Sequence, residues 1–130
     1  MVGYFDGASR GNPGNAGAGA CLLDDGGNVV WSCADYLGAA TNNVAEYEAL
    51  LRLLREVRSR GIKRLEIRGD SKLVVSQVGR KWKINSEHLR ELAVLAWDIM
   101  AGMEINLVWI PREQNKIADS LSNRAIDKEQ

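Results

Sequence analysis

A chain of 130 residues suits one domain with a real core and leaves little room for two. Its composition, 45% apolar and 26% charged, excludes a disordered or collagen-like chain, and a formal net charge of zero excludes a uniformly basic surface while leaving room for a local patch. Apolar runs of only a few residues exclude a membrane span, and no basic segment followed by an apolar block opens the chain, so a cytoplasmic, reducing address is expected.

Val2 to Ala8 reads as a strand, and Gly11-Asn12-Pro13-Gly14 as a tight reversal, because Pro presets φ and Gly accepts positive φ. Ala18 to Leu23 and Asn28 to Tyr36 flank "DDGG", a hairpin signal, so the first three strands form an antiparallel meander. Cys21 and Cys33 fit no metal spacing; they fall on paired strands that could bring them together, although a reducing compartment favours free thiols.

In "TNNVAEYEALLRLLREVRSRG" the period changes: Leu50, Leu53, Leu54 and Val57 recur at helical spacing and Gly61 ends the run. "KRLEIRGD" reads as a strand running into an acid, "SKLVVSQVG" as a short helix, and "SEHLRELAVLAWDIMAG" as a longer helix capped by Ser86. "MEINLVWIP" is a last strand, and Ile117, Ala118, Leu121 and Ala125 give "NKIADSLSNRAI" the stripe of a closing amphipathic helix. Such an order makes an α/β domain over residues 1–130, with helices covering a mixed sheet and ligands gathering at the carboxyl ends of strands.

Four acids stand out. Asp6 interrupts an apolar strand, where a carboxylate has no local cap to make and carries a desolvation cost. Glu46 shares the apolar stripe of its helix; it either faces the sheet or closes a capping box with Asn43 as N-cap. Asp70 ends a strand, where it is either a helix cap or a ligand, and Asp119, beside the stripe of the last helix, reads alone as a solvated acid. Brought to one place, four like charges demand cations, and an all-oxygen set suits Mg²⁺ or Mn²⁺. A pair of such ions about 4 Å apart can activate water and stabilise the leaving oxygen in phosphodiester cleavage.

The segments "YFDGASRGNPG", "TNNVAEYEAL", "IRGDSKLVV" and "IPREQNKIADSLS", in this order and over nearly the whole chain, resemble type 1 ribonucleases H. The resemblance implies a five-stranded mixed sheet of order 3-2-1-4-5, strand 2 antiparallel, with helices on both faces. It implies a metal-dependent endonuclease that hydrolyses the RNA strand of RNA/DNA hybrids to 5'-phosphate and 3'-hydroxyl ends, with Asp6, Glu46, Asp70 and Asp119 holding two Mg²⁺ or Mn²⁺ ions once substrate is bound. Ser9, Gly11, Asn12 and Asn42 become candidates for the RNA minor groove, Thr41 and Asn43 for the DNA strand, and Lys72 for a further nucleic-acid contact. "GRKWK" places Trp82 among Arg80, Lys81 and Lys83, which reads either as a DNA-binding patch or as solvated charge around a core Trp.

The chain departs from many bacterial members in two ways. Its basic protrusion is short, and the loop before Asp119 has no His, as in archaeal-like members; Arg112 stands there as a candidate for the scissile phosphate or leaving group. His88, in a different helix, reads as an exposed residue. Cleavage of double-stranded RNA is a possible extension of substrate, and a monomer without an obligate protein partner is expected. Competing classes are a non-catalytic hybrid-binding module, a piece of a larger retroelement polymerase, against which complete-looking ends count, and another phosphoryl-transfer nuclease of the same fold.

Overall fold

The expected elements form, and the strands extend beyond their apolar centres. A computed structural model describes residues 1–129 as β1 (Val2–Arg10), β2 (Gly14–Leu23), β3 (Val29–Ala40), α1 (Asn42–Ser59), β4 (Arg64–Gly69), α2 (Lys72–Val78), α3 (Glu87–Met100), β5 (Glu104–Trp109) and α4 (Lys116–Asp127). The β1–β2 ladder reaches Arg10 opposite Asn15, and the β2–β3 ladder reaches Gly14 opposite Ala40. These end residues are polar or small, so pairing with a neighbour, and not local propensity, makes them strand.

The sheet order is β3-β2-β1-β4-β5. β2 runs antiparallel to both neighbours, whereas β1, β4 and β5 are parallel, as the resemblance implied. In the β1–β4 pair Phe5 sits opposite Gly69, so the next residues, Asp6 and Asp70, leave the carboxyl ends of adjacent strands together.

One face of the sheet packs against α1, with α3 alongside α1, in a core that includes Phe5, Leu50, Leu54, Ile67, Leu92 and Ala96. α4 lies across β1, β2 and β3 on the other face. β4 alternates buried Leu65, Ile67 and Gly69 with Arg64, Glu66 and Arg68. Those polar residues pair: Arg64 meets Glu104 at 2.9 Å, and Arg68 meets Glu66 at 2.6 Å.

Two glycines set the distances between layers. A Cβ at Gly7 would overlap the Ala45 carbonyl carbon and the Glu46 backbone nitrogen, so only Gly lets α1 approach β1 this closely. Gly19 does the same for α4, whose Ala118 carbonyl and Ser122 amide occupy the space of a side chain.

Several expectations are corrected. Thr41, not Asn43, caps α1, its Oγ1 accepting from the Val44 amide at 3.2 Å, so Glu46 lies too deep in the helix for a capping box. Ser71, not Asp70, caps α2, accepting from the Val74 amide at 3.2 Å. Cys21 pairs with Ser32 and Cys33 with Ala20; this offset of one residue turns the two free thiols to opposite faces. Ile117 points outward on α4, and Ser122 and Ile126 complete the buried stripe. No helix among the described residues is long and apolar enough to cross a membrane.

Gly7→Ala forces the β1 and α1 backbones apart. The expected loss is about 3 kcal/mol, read as a lower urea midpoint than wild type.

Candidate active site

Parallel pairing of β1 and β4 delivers Asp6 and Asp70, and the close approach at Gly7 delivers Glu46 from α1. One carboxylate oxygen from each of the three lies within 4.8 Å of the other two. Asp6 and Glu46 are only 4% and 3% exposed, while Asp70 is half-buried. Asp119, in the first turn of α4, borders the same cleft of about 300 Å³, as do Ser9, Arg10, Asn42 and Arg112. It lies outside the mutually close trio but next to Asp6, accepting from Asn123 Nδ2 at 3.2 Å and facing the Arg112 guanidinium at 3.6 Å.

Such crowding shifts proton affinities. Burial, with the charges of Asp70 and Asp119 adding to it, pushes the Asp6 carboxyl up to about 7, although a hydrogen bond with Glu46 opposes the rise. Burial, then the charge of Asp6, raises Glu46 well above the usual carboxylate range. Asp70 is also raised, mainly by burial, against the opposing hydrogen bond from Asn115 and the charge of Arg112. The Asp6 Oδ1 accepts from the Gly7 amide at 2.9 Å, whereas the Glu46 Oε2 is buried with no hydrogen-bond partner. An oxygen-only donor set with an orphaned buried carboxylate oxygen fits a hard divalent cation, which would return the ionised form to all three acids.

Asn115 is a site residue that sequence reasoning missed. It precedes α4 where an Asn ordinarily caps, yet its side chain makes no cap; Nδ2 donates to the Phe5 carbonyl at 2.9 Å and to Asp70 Oδ2 at 3.1 Å. It is 1% exposed and straps the end of β1 to the acid at the end of β4. Nothing local marks such a role, because both partners are far away in the chain. Arg10 and Asn123, also missed, form a chain toward Asp119: Arg10 Nη2 approaches Asn123 Oδ1 at 3.3 Å, and Arg10 Nη1 binds Asp127 at 2.6 Å.

The expected substrate-contact residues fall into three places. At the rim, the Ser9 hydroxyl bonds to the Ala40 carbonyl at 2.7 Å, and Asn12 Oδ1 accepts from the Asn42 amide at 2.9 Å, holding the turn at Gly11 against Thr41 and Asn43 at the start of α1. Lys72 is exposed at the start of α2. Trp82 is 48% exposed in a separate groove with Arg80, Lys81, Lys83 and Arg90, so it is not a core residue. Trp97 is the packed indole there, under the Arg80 guanidinium at 3.9 Å. His88 faces Glu91 on α3 and does not border the acidic cleft.

The sheet order, with a carboxylate trio at the carboxyl ends of β1 and β4, defines the ribonuclease H-like fold class. Residues 4–125 match the family described as reverse transcriptase-like. Ribonuclease HI of Halobacterium salinarum is 42% identical, over 95% of this chain and 63% of its own length. A ribonuclease H1 crystal structure from that archaeon superposes with a TM-score of 0.93 at 41% identity, covering 98% of this chain and 97% of that one. A bifunctional protein of Mycobacterium tuberculosis is 41% identical over 94% of this chain and 34% of its own length, so the chain spans less than two thirds of these curated relatives. A compost-derived ribonuclease H1, solved in complex with RNA/DNA hybrid, gives a TM-score of 0.93 at 40% identity over 98% of this chain and 97% of that one. The chain belongs to the type 1 ribonuclease H family.

Two outcomes test the geometry. Asn115→Ala leaves the Phe5 carbonyl without its donor and frees the Asp70 side chain, at an expected cost of about 2 kcal/mol, measured by chemical denaturation. Below about pH 4 Asp6 is neutral in both folded and unfolded chains, and up to about pH 7 only the unfolded chain loses the proton, so the metal-free protein loses stability as pH rises across that window. Thermal melts in chelator across that range will show the decline, and Asp6→Asn will make it shallower, leaving the part that the raised Glu46 and Asp70 contribute.

Proposed function

We propose that the chain is a metal-dependent ribonuclease H that hydrolyses the RNA strand of RNA/DNA hybrids to 5'-phosphate and 3'-hydroxyl products. The close trio of Asp6, Glu46 and Asp70, two of them buried, with its orphaned carboxylate oxygen, carries this reading. Family membership and a hybrid-bound relative of 40% identity support the substrate class.

In this reading Asp6, Glu46, Asp70 and Asp119 hold two Mg²⁺ ions when substrate is bound, with Mn²⁺ able to substitute. Divalent cations in such a site supply activation of water and charge stabilisation at the departing 3'-oxygen. The chain's own contribution is rigidity: Asp6 is fixed on a central strand, Glu46 on the longest helix, and Asp70 by Asn115. Asp119 is the adjustable member, because Asn123 and Arg112 already share its carboxylate. Arg112, exposed at the lip, is free to turn from Asp119 to a scissile phosphate, the role proposed for it in place of a His.

Ser9, Gly11, Asn12 and Asn42 form the proposed rim for the RNA strand, where the 2'-hydroxyl is the distinguishing group. Thr41 and Asn43 sit at the start of α1, proposed to meet the DNA strand, and Trp82 with its basic neighbours is proposed to follow the DNA backbone. Double-stranded RNA is a proposed second substrate. One domain over residues 1–130, acting as a monomer in the cytoplasm, completes the proposal.

End-labelled RNA hybridised to DNA, paired with RNA, or single-stranded, offered with Mg²⁺, Mn²⁺ or chelator, tests it. Internal cuts in hybrid RNA that need metal, and that fall by about two to three orders of magnitude in Asp70→Asn, are the expected result. No cleavage with either metal would leave a binding module as the better account.

A further inference from the structure

Trp109 closes β5 opposite Gly69, beside Asp70, and its indole is 45% exposed. An indole left this open at the end of an edge strand contributes little to the core, yet both of its functional parts are engaged. Its Nε1–H donates to the Asp70 backbone carbonyl at 3.2 Å, next to the Ile110 amide that binds the Gly69 carbonyl at 3.0 Å. Its ring lies under the Lys72 ammonium, 5.4 Å from the ring centroid, within the range of a cation–π contact.

Lys72 makes no ion pair with a carboxylate among the described residues. Its charge is therefore held in place by an aromatic face without being neutralised, two residues from a cleft acid. A cation kept in that state is available to an anion.

We infer that Trp109 is a positioning residue with two separable actions: its indole N–H fixes the main chain that carries Asp70, and its ring holds the Lys72 ammonium as a phosphate-binding group at the cleft rim. The inference rests on the ribonuclease reading and names how two of its parts are set. Trp109 itself need not touch the reacting atoms.

Three variants separate the actions. Trp109→Phe keeps a ring and removes the N–H; Lys72→Met removes the cation; Trp109→Leu removes both supports. Steady-state cleavage of an RNA/DNA hybrid gives kcat and KM, and fluorescence anisotropy of the same hybrid in chelator gives affinity against salt without cleavage.

Expected is a kcat about three- to tenfold lower in Trp109→Phe with KM held, in proportion to one hydrogen bond on a positioned acid. In Lys72→Met, KM rises roughly fivefold and the magnitude of the salt slope falls by about 0.9, the signature of one phosphate contact. Trp109→Leu shows both changes, and adding Lys72→Met to it worsens affinity no further. Thermal melts accompany each variant, since a merely structural role would lower stability without splitting kcat from KM. If wild type cuts hybrid and both Trp109 variants match it in kcat, KM and salt slope, the inference is overturned alone. A wild-type chain that cuts no hybrid overturns the function and the inference with it.

Discussion

Like charges held close in a dry place constrain everything else in this molecule. Asp6 and Glu46 are nearly inaccessible to water and share their corner with Asp70, so burial and mutual repulsion both oppose ionisation. A fold tolerates such a cluster only where the backbone over-determines it. Here two parallel strands end side by side, a helix is brought into backbone contact by a glycine, and a buried amide spans the strands. The cost in folding energy is the same feature that gives cations a ready set of oxygens.

The two ends of the site differ in stiffness. Asp6 and Asp70 leave adjacent strands, and Asn115 joins the carbonyl of one to the carboxylate of the other. Asp119 instead rides on α4, half-exposed, and divides its attention between Asn123 and a largely exposed Arg112. The close trio is thus tied to strands and to a buried amide, while the fourth acid and its guanidinium partner sit nearer the solvent.

The parts of the fold that were legible in the sequence share one trait: their signals are local. Leu50, Leu53, Leu54 and Val57 mark α1 by spacing alone, and the Gly11–Gly14 reversal and Ser86 cap are written in neighbouring residues. Asp6 was legible because a carboxylate in an apolar strand has no local purpose. Asn115 was not, since its partners Phe5 and Asp70 lie 110 and 45 residues away and its own surroundings look like a polar loop. Asn43 and Thr41 both have cap chemistry, and only the helix register chooses between them. Trp109 carried no signal either, because a tryptophan closing an apolar strand reads as core until its exposure is known.

A formal charge of zero conceals a separation: acids gather in the cleft, while Arg80, Lys81, Lys83 and Arg90 line a groove that shares none of its residues. At a distance a polyanion therefore meets almost no net attraction, but close in it meets a dipole and the torque that comes with it. Under the proposed ribonuclease reading, a rod-like polyanion would be turned before it is held, its backbone drawn to the basic groove and away from the carboxylates. On that reading discrimination would begin as a matter of alignment, and a net charge of zero would leave little long-range attraction for loose, unoriented binding.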